Sequence, residues 1–177
     1  MQVSLGQIDR LAGVIRSRVQ EKPRIGIILG SGLGRLADAV NKASLIPYQE
    51  LPGWPISTVV GHAGRLVIGE LESQLVLVMQ GRVHYYEGYS MAQVTMPVRV
   101  MQRLGIEILI VTNAAGAIHP DFLPGDVMLI TDHLNLAGMA GLNPLIGPNL
   151  DEFGPRFPDM SRAYDRELSA LARKAAA

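Results

Sequence analysis

The sequence of 177 residues contains no cysteine. This absence excludes a disulfide framework, a zinc site built on thiolates and a cysteine nucleophile. Aromatic residues are few, at 5%, and the 16 basic residues are balanced by 16 acidic ones. No basic surface for nucleic acid or for an anionic membrane is therefore expected, and any anion must be bound by a few directed groups.

Long hydrophobic runs are also missing, since the longest apolar stretches fall far short of the roughly 20 residues needed to cross a bilayer. The first ten residues, MQVSLGQIDR, show no cationic segment followed by an apolar one, so a secretory signal is not expected. We predict a cytoplasmic protein that binds neither membrane nor nucleic acid. Hydrophobic residues make up 48% of the chain, which is enough for the core of a single domain over residues 1–177.

Hydrophobic periodicity predicts helices alternating with strands. Helices are expected over 4–20 with Ser4 as N-cap, from the glycine turn at 30–34 to about Val40, over 90–104, and after Ser161. Short apolar runs predict strands at 24–29, 56–60, 65–71, 74–80, 106–112 and 127–132, and Glu72-Ser73 is expected to close a hairpin. The run at 106–112 has the composition of a strand buried on both faces.

This alternation favours an α/β fold with a mixed, distorted central sheet flanked by helices. The Gly- and Pro-rich residues 137–160 are expected to form a long ordered loop. Ligands of such sheets sit beyond the carboxyl ends of the strands. Turns at 30–34, 81–88 and 113–116 all fall at such ends, which points to one site.

The glycine turn Gly30-Ser31-Gly32-Leu33-Gly34 fits neither common nucleotide-binding loop. A P-loop needs a lysine after its last glycine, and none follows here. A dinucleotide fingerprint needs Gly or Ala where Arg35 stands. The turn is either a tight strand-to-helix connection or an anion site, in which backbone N–H groups and the Ser31 hydroxyl would be donors.

Several segments, taken together, closely resemble the trimeric purine nucleoside phosphorylases. They are GSGLG (30–34), GHAGRLVIG (61–69), GRVHYYEGYS (81–90), VTNAAGAIHPDFLPGDVMLITDHLN (111–135), GLNPLIGPN (141–149) and FGPRFPDMSRAYD (153–165). The resemblance implies a homotrimeric pentosyltransferase of nucleoside metabolism and purine salvage. Such an enzyme converts a purine nucleoside and phosphate to free base and (deoxy)ribose 1-phosphate, with no metal or organic cofactor.

The same resemblance implies roles for individual residues. Arg82 and His84 would act in catalysis and, with Ser31, His62 and the backbone N–H of Ala114, would bind phosphate. Tyr86 would contact the ribose, and Phe157 would cover the sugar of a neighbouring subunit's site. These residue types suit the chemistry, because phosphate itself is the nucleophile and the protein has to bind and aim an anion.

Simpler interpretations of these residues remain open. His84 could be a structural histidine held by Glu87, which could equally orient a functional one. Tyr86 stands beside Tyr85 and Tyr89, and two of the three are expected to be packing residues. Phe157 could be a core aromatic. The spacings of the other histidines and nearby aspartates match no metal-ligand pattern, so no metal is expected; these residues are His62, His119, His133, Asp121 and Asp132.

Members of the family continue beyond the point at which this sequence ends, so the sheet is expected to be incomplete. The base-binding motifs of the family do not occur in it. The competing functions are therefore a methylthioadenosine phosphorylase-like enzyme and an inactive, truncated phosphate-binding fragment.

Overall fold

The computed structural model of the chain describes residues 3–59 and 63–176. Contacts divide the chain into two compact units, Met1–Ala114 and Ala115–Ala177. The single domain expected from the sequence stays a prediction. No helix within 3–59 and 63–176 has the length and apolar character required to span a bilayer.

In the described part of the first unit, five strands form one mixed sheet in the order β2-β3-β4-β1-β5. The strands are β1 (Ile25–Ile28), β2 (Asn41–Pro47), β3 (Arg65–Leu71), β4 (Gln74–Gln80) and β5 (Ile108–Val111). β1 pairs in parallel with β4 and β5, whereas β3 pairs antiparallel with β2 and β4. The predicted α/β class with a mixed central sheet is confirmed.

Two helices, α1 (Leu5–Arg18) and α2 (Met91–Leu104), cover one face of the sheet. Ser4 caps α1 as predicted, since its hydroxyl accepts from the Gln7 N–H. Gly26 of β1 lies so close to α2 that a side chain there would meet the Met101 sulfur at 3.2 Å. Pro97 sits inside α2 without interrupting it. The apolar stripe of α1 is buried, as helical periodicity requires, whereas α2 buries Met96, Pro97, Val100 and Met101 and leaves Val98 exposed.

The opposite face of the sheet carries a second apolar cluster. Its central members are Ile27, Val67 and Val78, which alternate with the residues that face the helices. The chain after β1 covers this cluster with a 3₁₀ helix, Gly34–Ala39, where the sequence predicts an α-helix. Ala37 is the buried residue of that turn, and the helix is too short and too polar to bury a full α-helical stripe.

The hairpin between β3 and β4 matches the prediction residue for residue. Leu71 pairs with Gln74, and both Glu72 and Ser73 adopt positive φ, as a two-residue hairpin turn requires. The neighbouring strand β2 was not predicted. It pairs with β3, and the register shifts between Asn41 and Ser44. Gly69 of β3 lies opposite this shift and approaches the Asn41 backbone closely.

Two strand predictions are wrong. Of the strand predicted over 56–60, residue 60 lies outside the described residues and residues 56–59 form no regular strand. The backbone of Ile56 and Thr58 is held by side chains of the 85–89 segment instead. Residues 127–132 likewise have no strand structure, and Val127 is 97% exposed. β5 is a strand, but it is an edge strand of the described sheet and Val111 is 54% exposed, so the expectation of burial on both faces is also wrong.

The second unit contains α3 (Leu136–Met139), a 3₁₀ turn at Asp151–Phe153 and α4 (Arg166–Ala176). Most of the residues between α3 and α4 are irregular, in agreement with the predicted loop. The predicted cap of the last helix is wrong. Asp165, not Ser161, accepts from the Leu168 N–H at the start of α4, while the Ser161 hydroxyl donates to Asp159.

Candidate active site

Three neighbouring parallel strands, β4, β1 and β5, end at the same edge of the sheet. Ile28 of β1 pairs with Met79 of β4 and with Val111 of β5, so the chain leaves all three strands at one level. The segments that follow are 30–34, 81–88 and 112–114. The first two are turns singled out in the sequence, and the third contains the start of the predicted turn at 113–116. A sheet of this type offers its crevice beyond these carboxyl ends.

The glycine turn after β1 is fixed at both of its ends. The Gly30 N–H donates to the Thr112 hydroxyl at 2.9 Å, and the Gly34 carbonyl accepts from the Gln80 side-chain amide at 2.8 Å. A Cβ atom on Gly30 would lie 2.7 Å from the Thr112 carbonyl oxygen. Glycine is therefore required at position 30 by close backbone approach, and Ser31 is carried on a turn whose ends cannot shift.

Arg82 follows β4 and reaches across β1 to the end of β5. Its Nη1 donates to the Thr112 carbonyl at 2.6 Å. Partial burial lowers the pKa of Arg82 from its ordinary value, and the charge of the neighbouring Tyr86 acts in the opposite direction. The guanidinium stays cationic at any physiological pH, and its planar fork suits a tetrahedral oxyanion.

A buried tyrosine holds the residue before Arg82. The Tyr48 hydroxyl donates to the Gly81 carbonyl at 2.7 Å, and Tyr48 itself is 1% exposed. Burial raises the pKa of Tyr48 well above its ordinary range, so the hydroxyl remains a donor. Trp54 packs against the Tyr48 ring with centroids 5.4 Å apart. Gly81 adopts φ of 106°, a conformation that favours glycine.

His84 is paired with Glu87, as the sequence suggested. The His84 Nδ1 lies 3.0 Å from one Glu87 carboxylate oxygen, which also accepts from the His84 backbone N–H at 2.7 Å. An ionised carboxylate at Nδ1 favours a proton on that nitrogen, which leaves Nε2 as the atom that would face phosphate. In the neutral ring Nε2 would accept from a phosphate OH group, and in the protonated ring it would donate to a phosphate oxygen. The Tyr86 ring stacks on the imidazole with centroids 4.9 Å apart.

Glu87 also binds the segment before residue 60. Its second carboxylate oxygen accepts from the Thr58 N–H at 2.7 Å and from the Ser57 and Thr58 hydroxyls at 3.1 Å. Burial would raise the pKa of Glu87, but the hydrogen bonds from Thr58 and His84 outweigh it and lower the pKa from 4.5 to about 2. The carboxylate is thus ionised and joins His84 to residues 57–58.

Replacing Glu87 with glutamine should destabilise the protein near neutral pH by roughly 1–3 kcal/mol, because donors aimed at a carboxylate would face an amide. A depressed carboxyl pKa stabilises the folded state above pH 4.5, and this contribution disappears as the pH falls towards about 2. The difference in unfolding free energy between wild type and Glu87→Gln should therefore shrink over that range. Urea unfolding against pH measures it, with the exposed Glu21→Gln as control; a pH-independent difference would contradict the assignment.

The structure places the predicted site residues unequally. Four of them lie on the three segments that follow the strands at one sheet edge: Ser31, Arg82, His84 and Ala114. Tyr86 accompanies His84 and is 74% exposed. His62 lies outside the described residues, and Phe157 belongs to the second unit.

Three residues that support the site were not predicted: Tyr48, Gln80 and Thr112. Of the three, only Gln80 could have been recognised in the sequence, because it is a polar residue at the end of an apolar strand. It is 7% exposed. Within 3–59 and 63–176, histidine and carboxylate side chains form no group of three or more that could hold a metal ion.

Comparison with known proteins identifies the family. A family model described as the phosphorylase superfamily matches residues 24–177, which include all three turns. The chain belongs to the phosphorylase superfamily. Within this superfamily it is similar to purine nucleoside phosphorylase 1 of Bacillus subtilis, with 57% identity over 170 residues, 96% of this chain and 62% of that protein. The rat purine nucleoside phosphorylase is 52% identical over 160 residues, 90% of this chain and 55% of that protein.

Solved structures of the superfamily show the same fold. The purine nucleoside phosphorylase of Schistosoma mansoni, in complex with inosine, superposes with a TM-score of 0.92 at 44% identity, covering 99% of this chain and 62% of that one. The resemblance to purine nucleoside phosphorylases predicted from the motifs is confirmed. The chain spans about three fifths of the length of the first two curated relatives.

Proposed function

We propose that the chain forms the phosphate- and ribose-binding part of a purine nucleoside phosphorylase. Such an enzyme transfers the pentosyl group of a purine (deoxy)ribonucleoside to inorganic phosphate, giving free base and (deoxy)ribose 1-phosphate. The observation that carries the proposal is the convergence of the three turns at the carboxyl ends of β1, β4 and β5, where Arg82 is bonded to Thr112.

The proposed reaction depends more on binding and orienting the phosphate anion than on a pair of acid and base side chains. A phosphate oxygen forms a bond to C1′ of the sugar while the bond from C1′ to the base nitrogen breaks, and the base leaves with the bonding electrons and gains a proton. The sugar passes through an oxocarbenium-like state, as in glycoside hydrolysis. Donors that hold phosphate beneath C1′ stabilise that state electrostatically and by proximity.

Each predicted donor has a reason to bind phosphate. Ser31 offers a hydroxyl on a fixed turn, Arg82 a charged fork and His84 an imidazole oriented by Glu87. The backbone N–H of Ala114 completes the set. The relatives support the proposed substrates rather than the individual donors, since Schistosoma mansoni enzymes of this name have been solved with inosine and with ribose 1-phosphate. Phosphate is the co-substrate, and the proposed reaction uses no metal or organic cofactor.

The ribose would lie over the ring of Tyr86. This ring is exposed and stacks on His84, so it extends the phosphate site with a flat surface that carries a hydroxyl. A cytoplasmic location and the recovery of purine bases remain predictions.

A phosphate-dependence assay tests the proposed function. In the whole enzyme of which the chain forms this part, inosine should be cleaved to hypoxanthine only when inorganic phosphate is present, with ribose 1-phosphate as the second product. Cleavage of methylthioadenosine in place of inosine would assign the alternative phosphorylase. Phosphate binding without turnover of either nucleoside would leave only the phosphate-binding fragment, and hypoxanthine release without phosphate would overturn phosphorolysis.

We also propose that the protein is a homotrimer in which Phe157 completes a neighbouring subunit's ribose site. Phe157 is 86% exposed, and the Arg156 guanidinium carbon lies 5.9 Å from the centre of its ring. This exposure leaves the ring of Phe157 accessible to a neighbouring subunit.

Coexpression of Phe157→Ala with Arg82→Ala subunits checks this arrangement. Each variant alone should be weak, but a mixed trimer should regain part of the activity, because an intact Arg82 site can receive Phe157 from its neighbour. No gain in the mixture, with both variants trimeric by sedimentation, would place Phe157 in its own subunit's site or outside any site.

A further inference from the structure

Thr112 contacts two of the three segments that converge on the candidate phosphate site and begins the third. Its hydroxyl accepts from the Gly30 N–H at 2.9 Å and donates to the Ile28 carbonyl at 3.2 Å. Its carbonyl accepts from Arg82 Nη1 at 2.6 Å. One residue after β5 thus bonds the glycine turn and Arg82, and it precedes Asn113 and Ala114.

The hydroxyl acts both as a donor and as an acceptor in these contacts. A threonine hydroxyl has one proton to donate and lone pairs that accept. Here the proton points to the end of β1 and a lone pair receives the first N–H of the glycine turn. The turn is therefore bonded to β5 by a side chain, at the point where Gly30 packs directly on the 112–113 backbone.

We propose that Thr112 is a positioning residue for the phosphate site, an inference that rests on the proposed function. The hydroxyl sets the height of Gly30, and hence of Ser31, above the sheet edge. The carbonyl sets the direction of the Arg82 guanidinium. Because both bonds meet at a single residue, a shift of the glycine turn relative to β5 would misplace two phosphate donors together.

Valine is the informative replacement at this position. It matches threonine in shape and keeps the backbone N–H bond to Ile28, which spans 3.0 Å, but it cannot accept from Gly30. Thr112→Ser retains the hydroxyl and should rescue the site. Thr95→Val is the matched control, because Thr95 in α2 is also half-buried and also donates its hydroxyl to a backbone carbonyl, that of Met91.

The experiment measures the dissociation constant of inorganic phosphate by calorimetry, together with KM for phosphate and kcat. Thr112→Val should raise both Kd and KM for phosphate about 10-fold or more, since it leaves a donor of the turn without its acceptor. Thr112→Ser should stay within about threefold of wild type, and Thr95→Val should change neither constant although it also loses a hydroxyl bond. If Thr112 acts through Arg82 and Ser31, its effect should shrink in the Arg82→Ala background.

The outcomes separate this inference from the proposed function. Wild-type phosphate affinity in Thr112→Val would overturn the positioning role while leaving the function standing, provided Arg82→Ala still weakens phosphate binding. Unchanged affinity in Arg82→Ala would overturn the phosphate site itself. If Thr112→Val does not fold, Thr112→Ala removes the same hydroxyl without added bulk, and wild-type affinity in that variant would equally overturn the positioning role.

Discussion

Replacing Arg82 with alanine should lower kcat/KM for phosphate by about two to three orders of magnitude, or roughly 2–4 kcal/mol of transition-state stabilisation. The guanidinium is half-buried and bonded to the end of β5, so its position is set before phosphate arrives. A charge-assisted fork in such surroundings is worth more than an exposed ion pair, which water and salt screen. KM for the nucleoside should change much less.

Steady-state kinetics with phosphate as the varied substrate measure this effect. Arg24→Ala is the matched control, because Arg24 stands at the opposite end of β1, where its exposed side chain pairs with Glu107. Arg82→Lys should fall between wild type and Arg82→Ala, since lysine retains the charge but not the planar fork. Phosphate kinetics equal to wild type in Arg82→Ala would remove Arg82 from the site.

Local patterns were sufficient to predict the elements whose partners are close in sequence. α1, β3, β4 and α2 follow from periodicity, and the turn at Glu72-Ser73 defines the hairpin. Ser4 and Ser90 each cap a helix, because the hydroxyl accepts from the backbone N–H three residues further along the chain. Such a cap is a local signal. In each of these cases the stabilising contact lies within a few residues of the pattern.

Elements that depend on distant partners were not predictable in the same way. β2 carries few apolar residues and exists because β3 pairs with it. Residues 127–132 have a composition typical of a strand, yet no strand pairs with them in the described part of the chain. β5 has the composition of an interior strand but lies at the edge of the described sheet. Strand formation depends on a partner, which sequence composition does not identify.

The residues of the candidate site show the same difference between local patterns and distant partners. Ser31, Arg82 and His84 stand in recognisable segments, and the contact of His84 with Glu87 spans only three residues. Thr112, Tyr48 and Gln80 hold those segments from 30 or more residues away. The side chains of Thr112 and Tyr48 give no local sign of this, because a threonine after a strand or a tyrosine after a proline is common in any α/β protein.

Gly30→Ala should disrupt both stability and phosphate binding. The new methyl carbon would lie 2.7 Å from the Thr112 carbonyl oxygen and 2.8 Å from the Asn113 Cα, and both atoms are backbone. Neither can rotate away as a flexible side chain could, so the turn or the end of β5 must move. Forced packing of this kind costs roughly 1–3 kcal/mol of folding free energy.

The same displacement should reach the phosphate donors. The Thr112 carbonyl that the methyl group would strike is the acceptor for Arg82, and the Gly30 N–H is bonded to the Thr112 hydroxyl. We therefore expect the phosphate Kd of Gly30→Ala to rise about 10-fold or more, as for loss of a buried hydrogen bond. Gly34→Ala provides the matched control in the same turn, because a Cβ there meets nothing within 4 Å. Denaturant unfolding and phosphate calorimetry on both variants measure these effects. If Gly30→Ala equals Gly34→Ala in stability and in phosphate affinity, the first glycine of the turn is not held against β5. The positioning of Arg82 and Ser31 would then need another cause.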